Sequence, residues 1–361
     1  MQILKVTLKQ HTPLIHFQYS EEGATLRASE VKPRLDKFLI ARLRKRHSDW
    51  LSKWKKGETE ALNYKLRIQT DEADKLRVKI PSSRNRDGKF EAQFPMVLAN
   101  MDGKEREEDL KNFSCYKKVT LIFIAEDQAL LDQIDTYIDS FLAVTNFGNR
   151  QSKGFGSFFR DGKRKSDFEK ALFMFYDCVY CKTFSFDLRD YESVKKAFRS
   201  LDLAYKRIKS GVGREDSLLH IYGKEHGIEW EKEAIRNKLA GRDVPHKARY
   251  LRAILGTTNS VSLPEIHKII TIQSELNSNN GEEIVQRFRS PITFKFFDGT
   301  VYALPEDGVK DIMGKKFTFT LKEENSKTGL GSMDLTVPQI DFYNFLEEAF
   351  DNLGWTYKEL K

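Results

Sequence analysis

The chain has 361 residues, 40% hydrophobic and 12% aromatic, which is enough to bury a sizeable core and favours two domains over one. Its 61 Lys and Arg against 53 Asp and Glu leave a net +8, but the excess is local: Arg27 to Lys56 alone carries +8 and Arg150 to Lys165 carries +5. Local positive charge points to a polyanionic partner, whereas three cysteines and the lack of any long apolar run argue against a disulfide scaffold or a membrane span and for a reduced, cytoplasmic chain.

Alternation over Gln2 to Lys9, with Leu4, Val6 and Leu8 on the apolar side, predicts a first strand, and a loop through Gly23 follows. A helix comes next, with Ser29 as N-cap, Pro33 in the first turn, and Leu35, Phe38, Leu39 and Leu43 at helical spacing. Its other face is basic, with Arg34, Lys37, Arg42 and Arg44. Cations at Arg42 to Arg46 could simply complement the helix dipole at a solvated end. Arg27 and Lys32 extend the surface upstream, which favours contact with a nucleic-acid backbone and a steep salt dependence.

Between Ser48 and Asn112 short alternating strands (Tyr64 to Gln69, Lys75 to Ile80) and polar turns such as Asn85-Arg86-Asp87-Gly88 read as an insertion or hairpin region. Tyr116 to Ala125 is a strong strand, and Leu130, Leu131, Ile134, Tyr137, Ile138, Phe141 and Leu142 mark an amphipathic helix after it. This is the element order of a split βαβ, ferredoxin-like unit.

The helix runs into Asn146 to Arg160, a stretch with three glycines, three cations and four phenylalanines. Glycines let main-chain N–H groups approach phosphate oxygens, Arg150, Lys153 and Arg160 can neutralise them, and phenylalanine rings can stack on bases or wedge the loop into the core. Lys153-Gly154-Phe155-Gly156-Ser157-Phe158-Phe159 resembles the strand signature of RNA-recognition motifs, although Ser157 stands where an aromatic is expected. A phosphate-cradling loop, a base-stacking strand and a structural glycine turn all remain open, with the flanking cations favouring the first. The two basic segments are expected to converge in one groove shaped for a ribose-phosphate strand.

A similar element order recurs downstream: a strand near Lys182 to Leu188, a helix from Tyr191 to Lys209, a helical middle, and strands at Tyr250 to Leu255, Ile292 to Phe297 and Thr300 to Leu304. Asp298-Gly299 joins the last two as a hairpin, Phe317 to Leu321 is a further strand, and Ile340 to Leu353 a closing helix. Expected domains are therefore 1–170, carrying the basic helix and glycine loop, and 171–361, carrying a helical insertion. Cys178 and Cys181 have metal-ligand spacing, yet no second pair follows, so core cysteines are expected and no cofactor or metal. His11 and His16 occupy the loop after the first strand, where a metal-independent ribonuclease could place a general acid or base; no recognisable partner set accompanies them. Gly211-Val212-Gly213-Arg214 lacks the context of a dinucleotide loop and reads as a turn.

Three blocks carry a family resemblance. Thr12-Pro13-Leu14 with Leu26 to Phe38, Arg150-Gln151-Ser152-Lys153-Gly154-Phe155-Gly156-Ser157, and Arg287-Phe288-Arg289-Ser290-Pro291-Ile292 resemble the N-terminal block, the glycine-rich loop and the second-half strand of RAMP proteins of CRISPR effector complexes. Pro33 stands where that family often has glycine, and Phe38-Leu39-Ile40-Ala41-Arg42 where it often has an aromatic-rich run. Length, two halves and the mid-chain loop look most like the peripheral RAMP subunit of type III-B (Cmr) complexes.

The resemblance implies an α+β fold of two ferredoxin-like (RRM-type) domains with insertions, and a non-catalytic subunit of a multi-subunit assembly in antiviral defence. It further implies contact with the 3′ region of the CRISPR guide RNA and the target RNA paired to it, through Arg27, Lys32, Arg34 and the Arg150 to Ser157 loop. Two rivals stand beside it: a guide-processing endoribonuclease of the same superfamily using His11 or His16, and a stand-alone RNA-recognition protein. Processing enzymes of the family typically keep the glycine loop near the C-terminus, whereas about two hundred residues follow it here.

Overall fold

The computed structural model describes residues 1–15, 25–44, 52–57, 59–79, 82–84, 90–92, 112–257, 260–263, 268–274, 288–323 and 329–360. The expected turn at Asn85 to Gly88, as well as His16, Lys45, Arg46 and Arg287, lies outside them. The fold is mixed α and β with antiparallel four-stranded sheets. The chain divides into two compact units, one of Met1–Asp202, Thr293–Leu304 and Thr356–Lys361, the other of Leu203–Ile292 and Pro305–Trp355. The boundary expected at residue 170 falls instead inside the first unit, in a helix, because the strand that follows it pairs within that unit.

The first unit opens with β1 (Gln2–Gln10), α1 (Ala28–Leu43), β2 (Tyr64–Gln69), β3 (Lys118–Ala125), α2 (Gln128–Val144) and β4 (Phe158–Arg160). These strands form one sheet in the order β2-β3-β1-β4, every pairing antiparallel. Period-two alternation puts Val6, Leu8, Val119, Leu121 and Phe123 inside, where they meet Val31, Leu35 and Leu39 of α1 and Ile134, Ile138 and Leu142 of α2 in one core. The insertion between β2 and β3 is a ribbon, Lys75–Lys79 pairing with Asn112–Tyr116. Helix α1 starts one residue ahead of the expected cap: Arg27 occupies the N-cap in an extended conformation, without a capping side chain, and Pro33 lies inside the helix.

The unit continues through α3 (Lys165–Phe173), β5 (Cys178–Thr183), α4 (Tyr191–Lys209), β6 (Ile292–Phe297), β7 (Thr300–Pro305) and β8 (Thr356–Glu359). Its second sheet has the order β6-β7-β5-β8. Both sheets therefore share one rule, in which the second, third, first and fourth strands in chain order lie side by side. Asp298 and Gly299, at φ +43 and +79, supply the left-handed pair that a two-residue hairpin requires between β6 and β7. The strand expected at Lys182 to Leu188 lies about one turn of sequence earlier, and β8 has no counterpart in the sequence reading.

In the second unit an antiparallel meander joins Ser260–Leu263, Lys268–Ser274, Lys316–Glu323 and Gly329–Thr336 in that order. The helices Leu218–Glu225 and Phe342–Asn352 pack together through the Tyr222 and Phe345 rings, 5.4 Å apart. The strand expected at Tyr250 to Leu255 is a 3₁₀ helix over Leu251–Leu255, with Tyr250 set edge-on to Phe317 and Phe319. A short apolar run bounded by glycine satisfies either conformation, and packing decides.

Candidate nucleic-acid interface

The glycine loop grows out of the end of α2 and closes back on β1 through β4, so its ends are fixed by the first sheet. The segment His11 to Ile15, which continues β1, lines its inner side. Thr12, fully buried, donates from Oγ1 to the Gly154 carbonyl at 2.7 Å and accepts from the Ser157 N–H at 2.8 Å. The Gly156 N–H reaches the Pro13 carbonyl at 2.8 Å, and the Asn149 N–H the Ile15 carbonyl at 2.7 Å. On its other side the loop runs along β6: the Phe294 N–H donates to the Ser152 carbonyl at 3.1 Å, and Asn146 donates from Nδ2 to the Gln151 and Phe294 carbonyls.

Two glycines are dictated by this packing. At Gly156, with φ +67, a Cβ would stand 1.9 Å from the Phe147 carbonyl oxygen. At Gly154, with φ +89, it would meet the Phe296 ring at 2.5 Å. Both combine a left-handed backbone with an occupied neighbourhood, which excludes any side chain. Gly154 through Phe159 is buried, and Phe155 is stacked on Phe198 with ring centroids 4.2 Å apart. Phe158 and Phe159 are fully buried as well. The base-stacking alternative is thereby corrected: these rings are core, because the strand they form pairs with β1 and carries α3 against its far side, Phe168 meeting Phe159 at 5.1 Å.

The cradle of main-chain N–H groups is corrected in the same way over much of its length. The amides of Phe147, Gly148, Asn149, Lys153, Gly154, Gly156 and Ser157 all donate within the protein. Ser157 adds a side-chain bond from Oγ to the Phe296 carbonyl at 2.7 Å. The loop's outer rim, Asn149 to Lys153, is half-buried and turns sharply, Arg150 standing at φ +56 with its carbonyl accepting from the Lys153 N–H. Partial burial pushes the Arg150 guanidinium down from its ordinary pKa, opposed by the nearby Asp202 carboxylate.

Helix α1 and the loop meet directly. Arg34 donates to the Asn146 carbonyl at 2.7 Å and to Gln151 Oε1, and its guanidinium lies over the Phe147 ring. The Gly148 N–H in turn donates to Glu30 at 2.7 Å. Arg27, Glu30, Arg34 and Lys37 fall on one arc of the helix by its 3.6-residue period, so Arg27 and the exposed Lys37 flank the clamp. Lys32 is not part of this group: it faces β2, bonded to Asp36 at 2.6 Å and the Leu62 carbonyl at 2.9 Å, with its ammonium over the Tyr64 ring. Arg42 lies over Phe38 and Phe175, and Arg160 is paired with Asp139 at 2.6 Å and Asp135 at 2.8 Å. The acidic partners moderate that end of the loop.

Sequence reasoning did not single out Glu30, Asn146, Gln151 or Lys295, which hold the arrangement together. Lys295, fully buried in β6, donates to the Thr145 carbonyl at 2.8 Å and more weakly to that of Phe158 at 3.3 Å, joining the two ends of the loop. Burial, helped by Arg34, holds its pKa well below the ordinary lysine range. Its signal was a lone cation in the otherwise apolar run Ile292 to Phe297. Cys115 and Cys181 are buried and Cys178 partly so, all as free thiols, and among the described residues no cluster of His, Cys, Asp or Glu could hold a metal ion. No helix of the described residues is long and apolar enough to cross a membrane.

Comparison with known proteins assigns the class. Residues 1–212 match the family model of the Cmr1 N-terminal domain and residues 214–360 that of the Cmr1 C-terminal domain. The chain is a CRISPR-associated RAMP protein of type III-B. Within that class it belongs to the Cmr1 family. Among solved structures it is similar to the apo crystal structure of Cmr1 from Pyrococcus furiosus, at 10% identity and a TM-score of 0.43 over 100% of this chain and 99% of that one. It is also similar to a chain in the cryo-EM structure of the type III-B Cmr-beta complex bound to cognate target RNA, at 12% identity and a TM-score of 0.27 over 44% of this chain and 58% of that one. Among curated proteins no match was found.

Proposed function

We propose that the chain is a non-catalytic RNA-binding subunit of a type III-B CRISPR effector complex, contacting the 3′ region of the guide RNA and the target paired to it in antiviral defence. Membership of the Cmr1 family supports the assembly. The observation that carries the RNA reading is the direct clamp between the basic helix α1 and the glycine loop through Arg34 and Glu30, which brings cations from two distant segments to one place. On this reading Arg27, Lys37 and Arg42 of the helix, and Arg150 and Ser152 of the rim, meet ribose-phosphate, while Arg34, Gly154 to Ser157 and Lys153, whose ammonium is buried, hold the rim in shape. Such binding follows backbone shape and charge more than base identity.

Two ferredoxin-like (RRM-type) domains are the architecture we assign to this function. Support comes from the strand order that both sheets of the first unit share, with a helix following the first strand in each case. Binding of a guide-length RNA, followed by fluorescence anisotropy over a salt series, tests the assignment. Arg150→Ala should weaken binding and lower the salt slope by up to about one unit. An unchanged slope would remove the rim from the interface. The endoribonuclease alternative is tested by incubation with repeat RNA, where metal-independent cleavage lost in His11→Ala or His16→Ala would replace the proposal.

A further inference from the structure

Helices α1 and α2 pack on one face of the first sheet, and the strand register fixes what the other face carries. Lys65, Ile124 and Ile3 lie side by side across β2, β3 and β1. Arg67, Ile122 and Lys5 form the next row, and Gln69, Thr120 and Thr7 the one after it. These side chains point away from the helices, because along each strand they alternate with the core residues Leu66, Leu121, Phe123 and Val6.

Ile3 is 61% exposed, Ile122 and Ile124 are half-buried, and Lys5, Lys65 and Arg67 stand in solvent. Strand propensity accounts for isoleucine at such positions. It does not account for the charge. None of the nine positions is acidic, and Lys5, Lys65 and Arg67 form no ion pair among the described residues. Lys9 and Lys118, at the other end of the same face, are by contrast paired with Asp298 and Asp161. The start of β1 and the end of β3 thus carry an aliphatic patch flanked on both sides by cations that nothing neutralises.

Size and chemistry say what would cover it. Three neighbouring strands are about 10 Å across, the width of one α-helix, and an apolar sheet face is commonly buried under a helical layer. The flanking cations call for carboxylates on both sides of that helix. Nucleic acid on a sheet face uses aromatic rings to stack its bases, and none of the nine positions is aromatic. An aliphatic centre with a charged rim is instead the composition of a protein–protein contact.

We infer that this face is the docking surface for an acidic amphipathic helix of a partner protein, its apolar stripe on Ile3, Ile122 and Ile124 and its carboxylates toward Lys5, Lys65 and Arg67. One helix over three isoleucines is a small interface, which corresponds to micromolar rather than nanomolar binding. The residues involved are separate from α1 and the glycine loop, so the inference is independent of the RNA-binding reading.

The full chain, with ¹³C-labelled isoleucine methyls, is titrated with a synthetic helix of about fourteen residues that has leucine at helical spacing and glutamate elsewhere. The methyl signals of Ile3, Ile122 and Ile124 should shift and saturate together, with an affinity that falls as salt rises. This titration of the native chain needs no variant. Ile3→Glu should weaken binding about tenfold, and Lys5→Glu, Lys65→Glu and Arg67→Glu together by at least as much. A helix with lysine in place of glutamate should bind that triple variant and leave the native chain unbound. Silence of the three methyls toward the glutamate helix overturns the proposal, as does an equal response to the lysine helix. A larger response to a short single-stranded RNA assigns the face to nucleic acid, and shifts that follow protein concentration alone assign it to a second copy of the chain; both overturn the proposal.

Discussion

The two arcs of the glycine loop differ in composition and in fate, the inner one built of glycine, serine and phenylalanine and the outer one of amides, serine and cations. The inner arc, Gly154 to Phe159, sends its rings and glycines into the core, where Phe155 stacks on Phe198 and Gly156 lies against the Phe147 carbonyl. The outer arc, Asn149 to Lys153, stays half-buried and is tied to α1 by Arg34. A glycine- and aromatic-rich segment beside cations is therefore not by itself a nucleic-acid surface. Here the glycines serve close packing, and what remains for a partner is the rim they hold in place.

The sharpest way to break this contrast is at Gly156. A side chain there combines a left-handed backbone with a Cβ 1.9 Å from a carbonyl oxygen, so Gly156→Ala should cost about 3 kcal/mol or more in urea denaturation, or leave the chain insoluble. Truncating the link between the arcs and the helix comes next. Arg34→Ala removes a charged donor from the Asn146 carbonyl and Gln151, and should destabilise by roughly 1–3 kcal/mol, with faster amide exchange confined to residues 146–153. Arg34→Lys should not restore protection, since one ammonium lacks the planar fork.

Phe155→Leu should cost about 1–1.5 kcal/mol through the lost stack on Phe198, with RNA affinity unchanged; reduced affinity at equal stability would return the inner arc to the interface. Lys295 adds a pH dependence. Its folded pKa lies below its unfolded value, so between the two the unfolded chain binds the extra proton and stability rises with pH. Lys295→Met, measured by thermal unfolding from neutral to alkaline pH, should flatten that rise. The smallest stability effect belongs to the rim: Arg150→Ala should change stability by less than about 1 kcal/mol while reducing RNA binding and its salt slope.

The first sheet was legible in the sequence because β1 and β3 alternate cleanly and the apolar stripes of α1 and α2 keep helical period. The second was harder to read. Ala171 to Phe186 is apolar without alternation, so β5 was placed late, and β8 shows an exposed, polar edge pattern that periodicity does not register. At the candidate site the cations and glycines could be named, but not their destinations. Whether Lys32 turns toward β2 and Arg34 toward the loop depends on helix phase against a partner 112 residues away. Asn146 and Lys295 act through carbonyls remote in sequence, and Gln151 accepts from an arginine 117 residues away, which no local pattern encodes.

The path of the chain through the second sheet bears on how the molecule is made. Strand β5 is followed by about a hundred residues of excursion before the β6–β7 hairpin emerges, and by some fifty more before β8. During synthesis β5 therefore leaves the ribosome with both edges open, and pairing across such separations is slow. At translation rates of roughly 5–20 residues per second, that interval lasts from several seconds to tens of seconds. A nascent chain stalled between β5 and β7 would be the form most prone to wrong strand pairing or capture by a chaperone.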